Sequence, residues 1–190
     1  EQLIRVGEVE YRAWNPYRSK LAAAILKGLS EMPVKPGQKI LYLGAATGTT
    51  SSHVSDIVGD TGLVYCVEFA PRMMRDLLNV CSFRKNMIPI FADARLPEQY
   101  RMIVGKVDGI YCDIAQPEQA KPLADNADMF LKEGGWIILA RKAMSIDVTE
   151  RPSEIFKREI DVLKERGFDI KQVVHLEPFD KAHAMVYARR

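Results

Sequence analysis

The segment Leu41-Tyr42-Leu43-Gly44-Ala45-Ala46-Thr47-Gly48-Thr49-Thr50 constrains the fold more than any other part of the chain. An apolar run enters a turn built of small residues, and the helix-compatible stretch 51–58 follows at once. A second apolar run then ends at Glu68, 20 residues past Gly48. In a strand–turn–helix–strand unit this spacing puts a carboxylate at the end of the second strand, beside the turn, where it can grip a ribose. An adenosine-containing ligand fits such a unit. Other parts of the chain must say which one.

Elsewhere helices and strands alternate. Residues 19–31 have helical composition, with Pro33, Pro36 and Gly37 behind them. Strands are expected at 39–45 and 63–69, around a helix at 51–58 that Gly59-Asp60-Thr61-Gly62 ends. Pro71 opens a helix over 71–83. Short strands follow at 87–91 and 107–114, then a helix at 118–131 that Gly134-Gly135 closes. Residues 136–140 read as a strand and 153–166 as a helix. The last two strands, 168–176 and 184–188, share the short link 177–181.

Strands separated by helices form a parallel sheet covered on both faces. A link as short as 177–181 requires an antiparallel neighbour, so one reversed strand is expected near the sheet edge. The expected fold is therefore α/β and Rossmann-like, of the kind used by S-adenosylmethionine-dependent methyltransferases rather than simple nicotinamide-binding domains. Residues 1–14 read as a small hairpin turning at Gly7, the remnant of an N-terminal β-rich segment, too small to bury a core alone. The main domain is expected over 15–190.

Composition narrows the setting. With 190 residues, 47% hydrophobic and 27% charged, the chain suits one soluble domain with a well-buried core. No apolar run approaches the roughly 18 residues of a membrane span, and no signal-peptide pattern opens the sequence. Cys66, Cys81 and Cys112 lack metal-like spacing; Cys66 and Cys112 stand in apolar runs, as buried thiols in a reducing compartment do. A net charge of +2 means that a nucleic-acid substrate would need a local basic patch or a partner.

Ligands of such sheets lie beyond the carboxyl ends of the strands. There Gly44, Ala46 and Gly48 let the backbone approach a ligand. The Thr49 and Thr50 hydroxyls and a helix N-terminus suit the carboxylate of a methionine moiety. Glu68 can accept ribose hydroxyls, and Phe69 can cover an adenine face. Asp93 and Ala94 end the third strand, where the carboxylate can accept from an adenine amino group. Asp113, Ile114, Ala115 and Gln116 follow the fourth strand, and Arg141-Lys142 the fifth. Singly, each has an ordinary reading: Glu68 as a solvated strand end, Asp93 as a turn cap, Phe69 as core. Their succession at strand ends is what points to an adenosyl cofactor. Lys20, Lys142 and His183 taken singly read as snorkelling or exposed side chains, although Lys20 at a helix start opposes the macrodipole. His53 and His175 read as surface residues.

The runs EYRAWNPYRSKLAAAI, KILYLGAATGTTSSHVSDIVG, GLVYCVEFAPR, DAR, CDIAQPEQ and DKAHAMV, in this order, resemble the fibrillarin family. Those proteins are RNA 2′-O-methyltransferases of box C/D guide ribonucleoproteins, and the resemblance covers essentially the whole chain. It implies a seven-stranded methyltransferase fold using S-adenosylmethionine. It puts cofactor contacts on Thr49, Thr50, Glu68, Phe69, Asp93, Ala94 and the run Asp113 to Gln116. It puts a catalytic set on Lys20, Asp113, Lys142 and His183. A guide RNA that pairs with pre-rRNA, and with tRNA in some cases, is implied, together with a Nop-domain scaffold and, indirectly, a kink-turn-binding protein. The resemblance also implies no membrane partner, and a location that is cytoplasmic in an archaeon or nucleolar in a eukaryote. Two residues depart from the wider methyltransferase pattern: Tyr42 where an acid is common and Ala46 where a second glycine is common. Fibrillarins share both.

The residue types suit the chemistry. Methyl transfer from a sulfonium is an in-line displacement with the ribose 2′-oxygen held about 3 Å from the methyl carbon. The hydroxyl proton must be polarised or removed as the bond forms. Asp113 and Lys142, at adjacent strand ends, are expected to orient each other and the hydroxyl. A neutral Lys142 could act as base; a charged one would stabilise the alkoxide while Asp113 or His183 takes the proton. Lys20 is expected to hold a nearby phosphate or ribose. No base-reading element or stacking platform is visible in the sequence, so the chain alone is expected to bind RNA weakly. Three other readings stay open: a nicotinamide-dependent oxidoreductase, a non-catalytic subunit of a ribonucleoprotein, and a protein-glutamine methyltransferase.

Overall fold

The computed structural model describes residues 1–142, 152–181 and 183–190. Seven strands form one sheet: β3 (Lys39–Leu43), β4 (Leu63–Glu68), β5 (Met87–Phe91), β6 (Val107–Cys112), β7 (Leu131–Lys142), β8 (Asp169–His175) and β9 (His183–Arg189). Their spatial order is β5-β4-β3-β6-β7-β9-β8. Pairing from β5 through β7 is parallel, whereas β9 runs antiparallel to both β7 and β8. The reversed strand thus lies inside β8, which forms the edge. A separate hairpin of β1 (Leu3–Val6) and β2 (Val9–Arg12) turns at Gly7, whose φ is +62°.

Alternation along the strands builds two cores. Leu41, Leu43, Val67, Ile110 and Leu139 face helix α4 (Ala120–Phe130) and α5 (Pro152–Glu165). Ile40, Tyr42, Cys66, Tyr111 and Ile138 face α1 (Lys20–Leu26), α2 (Thr49–Val58) and α3 (Pro71–Ser82). Both faces are apolar because both are covered, so strands such as β3 read as unbroken hydrophobic runs. Tyr42 stacks on Tyr111 inside the second core, with ring centroids 4.5 Å apart. Burial raises the pKa of both phenols well above the usual tyrosine value. No helix among the described residues is long and apolar enough to cross a membrane.

Several boundaries differ from the sequence-based expectation for local reasons. Helix α1 stops at Leu26 because Gly28, at φ +90°, closes it: the Gly28 N–H donates to the Ile25 carbonyl (3.1 Å) and the Leu29 N–H to that of Ala24 (2.9 Å), a Schellman closure. Gly134 and Gly135 do not cap α4, which ends at Phe130. They lie inside β7, where the register against β6 slips between Val107 and Gly109. A short 3-10 turn, Pro97–Tyr100, had no periodic signal. His53 is buried rather than on the surface: it stacks on Trp14 at 4.6 Å, and its Nε2 lies 2.8 Å from the Glu1 carboxylate.

Gly109 is required by packing. A Cβ there would lie 2.0 Å from the Trp136 ring on the neighbouring strand. Gly109→Ala is expected to destabilise the fold by about 1–3 kcal/mol through overpacking. Thermal melts would show a midpoint several degrees lower; an unchanged melt would mean that the Trp136 ring yields freely.

Candidate active site

The carboxyl ends of β3, β4, β5 and β6 converge on a cavity of about 340 Å³, within the range of small-molecule sites. Gly44, Ala46, Glu68, Phe69, Asp93, Ala94, Asp113, Ile114, Ala115 and Gln116 all line it. Its apolar wall adds Val67, Ala70, Met73 and Ala92, which the sequence reading missed. Met73 belongs to the first turn of α3, and nothing in its own spacing distinguishes it from an amphipathic-helix residue.

Backbone geometry shapes the floor. At Gly44 φ is +80°, and a Cβ would come within 2.4 Å of the Asp113 carbonyl oxygen. Only glycine lets the exits of β3 and β6 run so close. Ala46 is a non-glycine residue in the left-handed region, at φ +49°, which explains why glycine is common there in other methyltransferases. Gly48 (φ +89°) precedes α2 and lies under Leu77 and Val80 of α3. Thr49 opens α2, and the Thr50 hydroxyl donates to Ser19 Oγ at 3.0 Å. Gly48, Thr49 and Thr50 therefore flank the cavity without lining it.

Glu68 is 7% exposed and is set by three backbone donors. Its Oε1 accepts from the Phe69 and Ala70 N–H groups (2.9 and 2.8 Å), and its Oε2 from that of Ala46 (2.9 Å). The carboxylate is thus fixed before a ligand arrives, and it ties the second strand end to the glycine-rich turn. Phe69 is half exposed beside it. Asp93 takes the Arg95 guanidinium on both oxygens (3.0 and 2.6 Å to Oδ2, 3.1 Å to Oδ1). Those hydrogen bonds hold its carboxyl below the usual carboxylate range, so it stays an acceptor.

Asp113 faces both the cavity and Lys20. The Lys20 ammonium donates to both carboxylate oxygens, at 2.7 and 2.8 Å, across 93 residues of sequence. Sequence alone pairs Asp113 with Lys142 at the adjacent strand end; among the described residues its partner is Lys20, delivered by the Ser19 cap of α1. Lys142 ends β7 opposite His183 in the β7–β9 register, and its side chain falls outside the described residues. His183 opens β9, with Nδ1 2.6 Å from Asp180 Oδ1.

A buried network supports this rim. Arg141, 4% exposed, pairs with Glu159 of α5 at 3.0 Å and donates to the Pro117 carbonyl at 3.0 Å. Glu159 accepts from the Gln119 and Ala120 N–H groups (3.0 and 2.7 Å) and so pins the loop that follows Asp113. In the sequence Arg141 is marked only as a strand-end residue, and Glu159 carries no signal beyond helix periodicity. A largely apolar cavity rimmed by Glu68, Asp93 and Asp113 suits a ligand with an aromatic base, a ribose and a positive charge. S-Adenosylmethionine has all three.

Comparison with known proteins agrees. The family model described as Fibrillarin matches residues 1–190. A curated relative from Staphylothermus marinus, called fibrillarin-like rRNA/tRNA 2′-O-methyltransferase, is 64% identical over 189 residues, covering 100% of this chain and 81% of its own. The crystal structure of Aeropyrum pernix fibrillarin with natively bound S-adenosyl-L-methionine superposes with a TM-score of 0.93 at 60% identity, over 99% of this chain and 82% of that one. A fibrillarin/Nop5p complex matches with a TM-score of 0.89 at 44% identity, over 95% of this chain and 85% of that one.

Proposed function

Since this chain belongs to the fibrillarin family, we propose that it transfers a methyl group from S-adenosylmethionine to a ribose 2′-hydroxyl of rRNA or tRNA. The observation that carries this is Asp113, which lines the cofactor cavity and at the same time holds Lys20. The donor and acceptor sides of a transfer reaction meet at one carboxylate.

In this reading Glu68 takes the cofactor ribose, Phe69 covers the adenine, and Asp93 accepts from the adenine amino group. Thr49 and Thr50 face the methionine carboxylate, and the run Asp113 to Gln116 closes over the remainder. When bound, the cofactor supplies an electrophilic methyl on a sulfonium. The chain's task is to hold the ribose oxygen in line and to manage its proton. Asp113 offers an acceptor to the 2′-hydroxyl, while the Lys20 ammonium beside it stabilises negative charge developing on the oxygen. His183, oriented by Asp180, and Lys142, opposite it in the register, complete the acceptor side.

The acceptor is chosen by base pairing. A guide RNA pairs with the target, a Nop-domain scaffold like that of the fibrillarin/Nop5p complex holds the enzyme, and a kink-turn-binding protein orders the guide. The particle works in the cytoplasm of an archaeal cell or the nucleolus of a eukaryotic one. Two measurements test this reading. Calorimetry should show binding of S-adenosylhomocysteine and none of NAD. Methylation of guide-paired RNA should be strong with scaffold and weak for the isolated chain. Binding of NAD alone would assign an oxidoreductase, and an assembled particle without turnover would assign a structural subunit.

A further inference from the structure

The buried pair Arg141–Glu159 is an expensive way to fill a core. Apolar side chains of similar volume often match or exceed a buried ion pair in stability. Two atoms of the same cluster, Arg141 Nε and Gln119 Oε1, are buried without a hydrogen-bond partner among the described residues. Each adds a desolvation penalty. Packing alone does not account for such a cluster.

The pair's hydrogen bonds converge on the stretch between β6 and α4. Gln119, at the N-cap position of α4, makes no side-chain cap of its own. Glu159 Oε2 takes its place from α5, accepting from the Gln119 and Ala120 N–H groups that a helix start leaves unpaired. Arg141 Nη1 meets that same oxygen at 3.0 Å and donates to the Pro117 carbonyl, also at 3.0 Å. Gln119 Nε2 donates to the Gln116 carbonyl at 3.3 Å. At the other end of the stretch the Asp113 N–H donates to the Leu43 carbonyl at 2.9 Å. Between Asp113 and Gln119 no backbone–backbone hydrogen bond forms among the described residues. Ile114, Ala115 and Gln116, which line the cavity, therefore hang between a strand end and this side-chain cluster.

We infer that Arg141 and Glu159 are positioning residues for the cofactor. They hold the cavity wall 114–116 where it receives S-adenosylmethionine, and so set affinity for the cofactor rather than the rate of transfer. Neither lines the cavity itself. Asp113 does not depend on them, because its backbone is anchored at Leu43 and its carboxylate at Lys20. Without the pair the wall leaves its place, and apparent affinity falls by the fraction of time it is absent from it. This rests on the methyltransferase reading above, which puts that cofactor in the cavity.

The test uses the double variant Arg141→Met with Glu159→Gln, which removes both charges and leaves an amide oxygen for the N–H groups of α4. Its companion, Arg141→Met alone, keeps Glu159 on α4 and removes the donor to Pro117. In both, calorimetry on the full chain should show about tenfold weaker binding of S-adenosylhomocysteine, as for a wall in place about a tenth of the time. In the assembled particle KM for S-adenosylmethionine should rise by the same factor, with kcat at saturating cofactor within about twofold of wild type. Hydrogen exchange over 114–120 should quicken without ligand and return to the wild-type pattern at saturation. A folded variant with wild-type affinity, KM and exchange overturns the inference, even if its melting midpoint falls. A loss of kcat with KM unchanged overturns it as well. Weakened ligand binding in the variants, beside a wild-type particle that methylates no RNA, supports the wall and overturns the RNA reading. A wild-type chain that binds no S-adenosylhomocysteine overturns both.

Discussion

Replacing Asp113 with asparagine is expected to lower methyl transfer in the assembled particle at least a hundredfold, the usual scale for a group that handles a reacting proton. Asparagine keeps the shape of the side chain and the backbone approach to Gly44, where the Asp113 carbonyl would meet a Cβ at 2.4 Å. It removes the charge that holds the Lys20 ammonium at 2.7 and 2.8 Å. The cavity should then still bind S-adenosylhomocysteine within a few-fold, because the other lining residues are untouched. Lys20→Ala should cost a similar factor, since Asp113 loses the cation beside it. The double variant should be little worse than either single one, as expected for residues that act as a unit. Single-turnover transfer at saturating cofactor is the readout. Wild-type turnover by Asp113→Asn would remove the pair from the reaction.

Glu68→Ala carries the second large effect, on the cofactor side. A hydrogen bond to a charged group contributes about 1.5–3 kcal/mol, so losing the contact proposed for it with the cofactor ribose should cost roughly 10- to 150-fold in affinity for S-adenosylhomocysteine. The change also leaves the Ala46, Phe69 and Ala70 N–H groups without their acceptor. Because Glu68 is only 7% exposed, solvent replaces it poorly, and the ligand-free melting midpoint should fall as well. Glu68→Gln keeps one acceptor oxygen and should fall between the two. Calorimetry on the ligand and a melt without it separate the two consequences. Unchanged affinity in Glu68→Ala would mean that the carboxylate only braces the turn.

Much of this was legible in the sequence because it is local. The apolar runs of β3, β4, β6 and β7 are strands buried on both faces, and the strand-end positions 44, 46, 68, 69, 93, 94 and 113–116 line the cavity because parallel strands must expose their ends on one side. The short link 177–181 foretold that β9 is reversed. It could not show that β9 inserts between β7 and β8, since that depends on pairing between strands far apart in the chain.

The same limit hid the decisive contacts. Lys20 taken singly reads as an exposed lysine; only the family resemblance groups it with Asp113, and only the fold shows the two in direct contact. His53 read as surface because the Trp14 ring that covers it comes from another element. Gly134-Gly135 looked like a helix stop, and only the register between β6 and β7 reveals a bulge. Arg141 and Glu159 read as ordinary strand and helix residues, yet their pairing holds the loop after Asp113.

The central claim is that Gly44 to Glu68 present a methyl donor to a ribose held at Lys20 and Asp113. Its most direct test is to map the product. The particle assembled with scaffold, guide RNA and isotopically labelled S-adenosylmethionine should place one methyl group on the 2′-oxygen of the single guide-selected nucleotide, and Asp113→Asn should place none. Label found on a base, on a glutamine side chain, or equally in the Asp113→Asn product would contradict it.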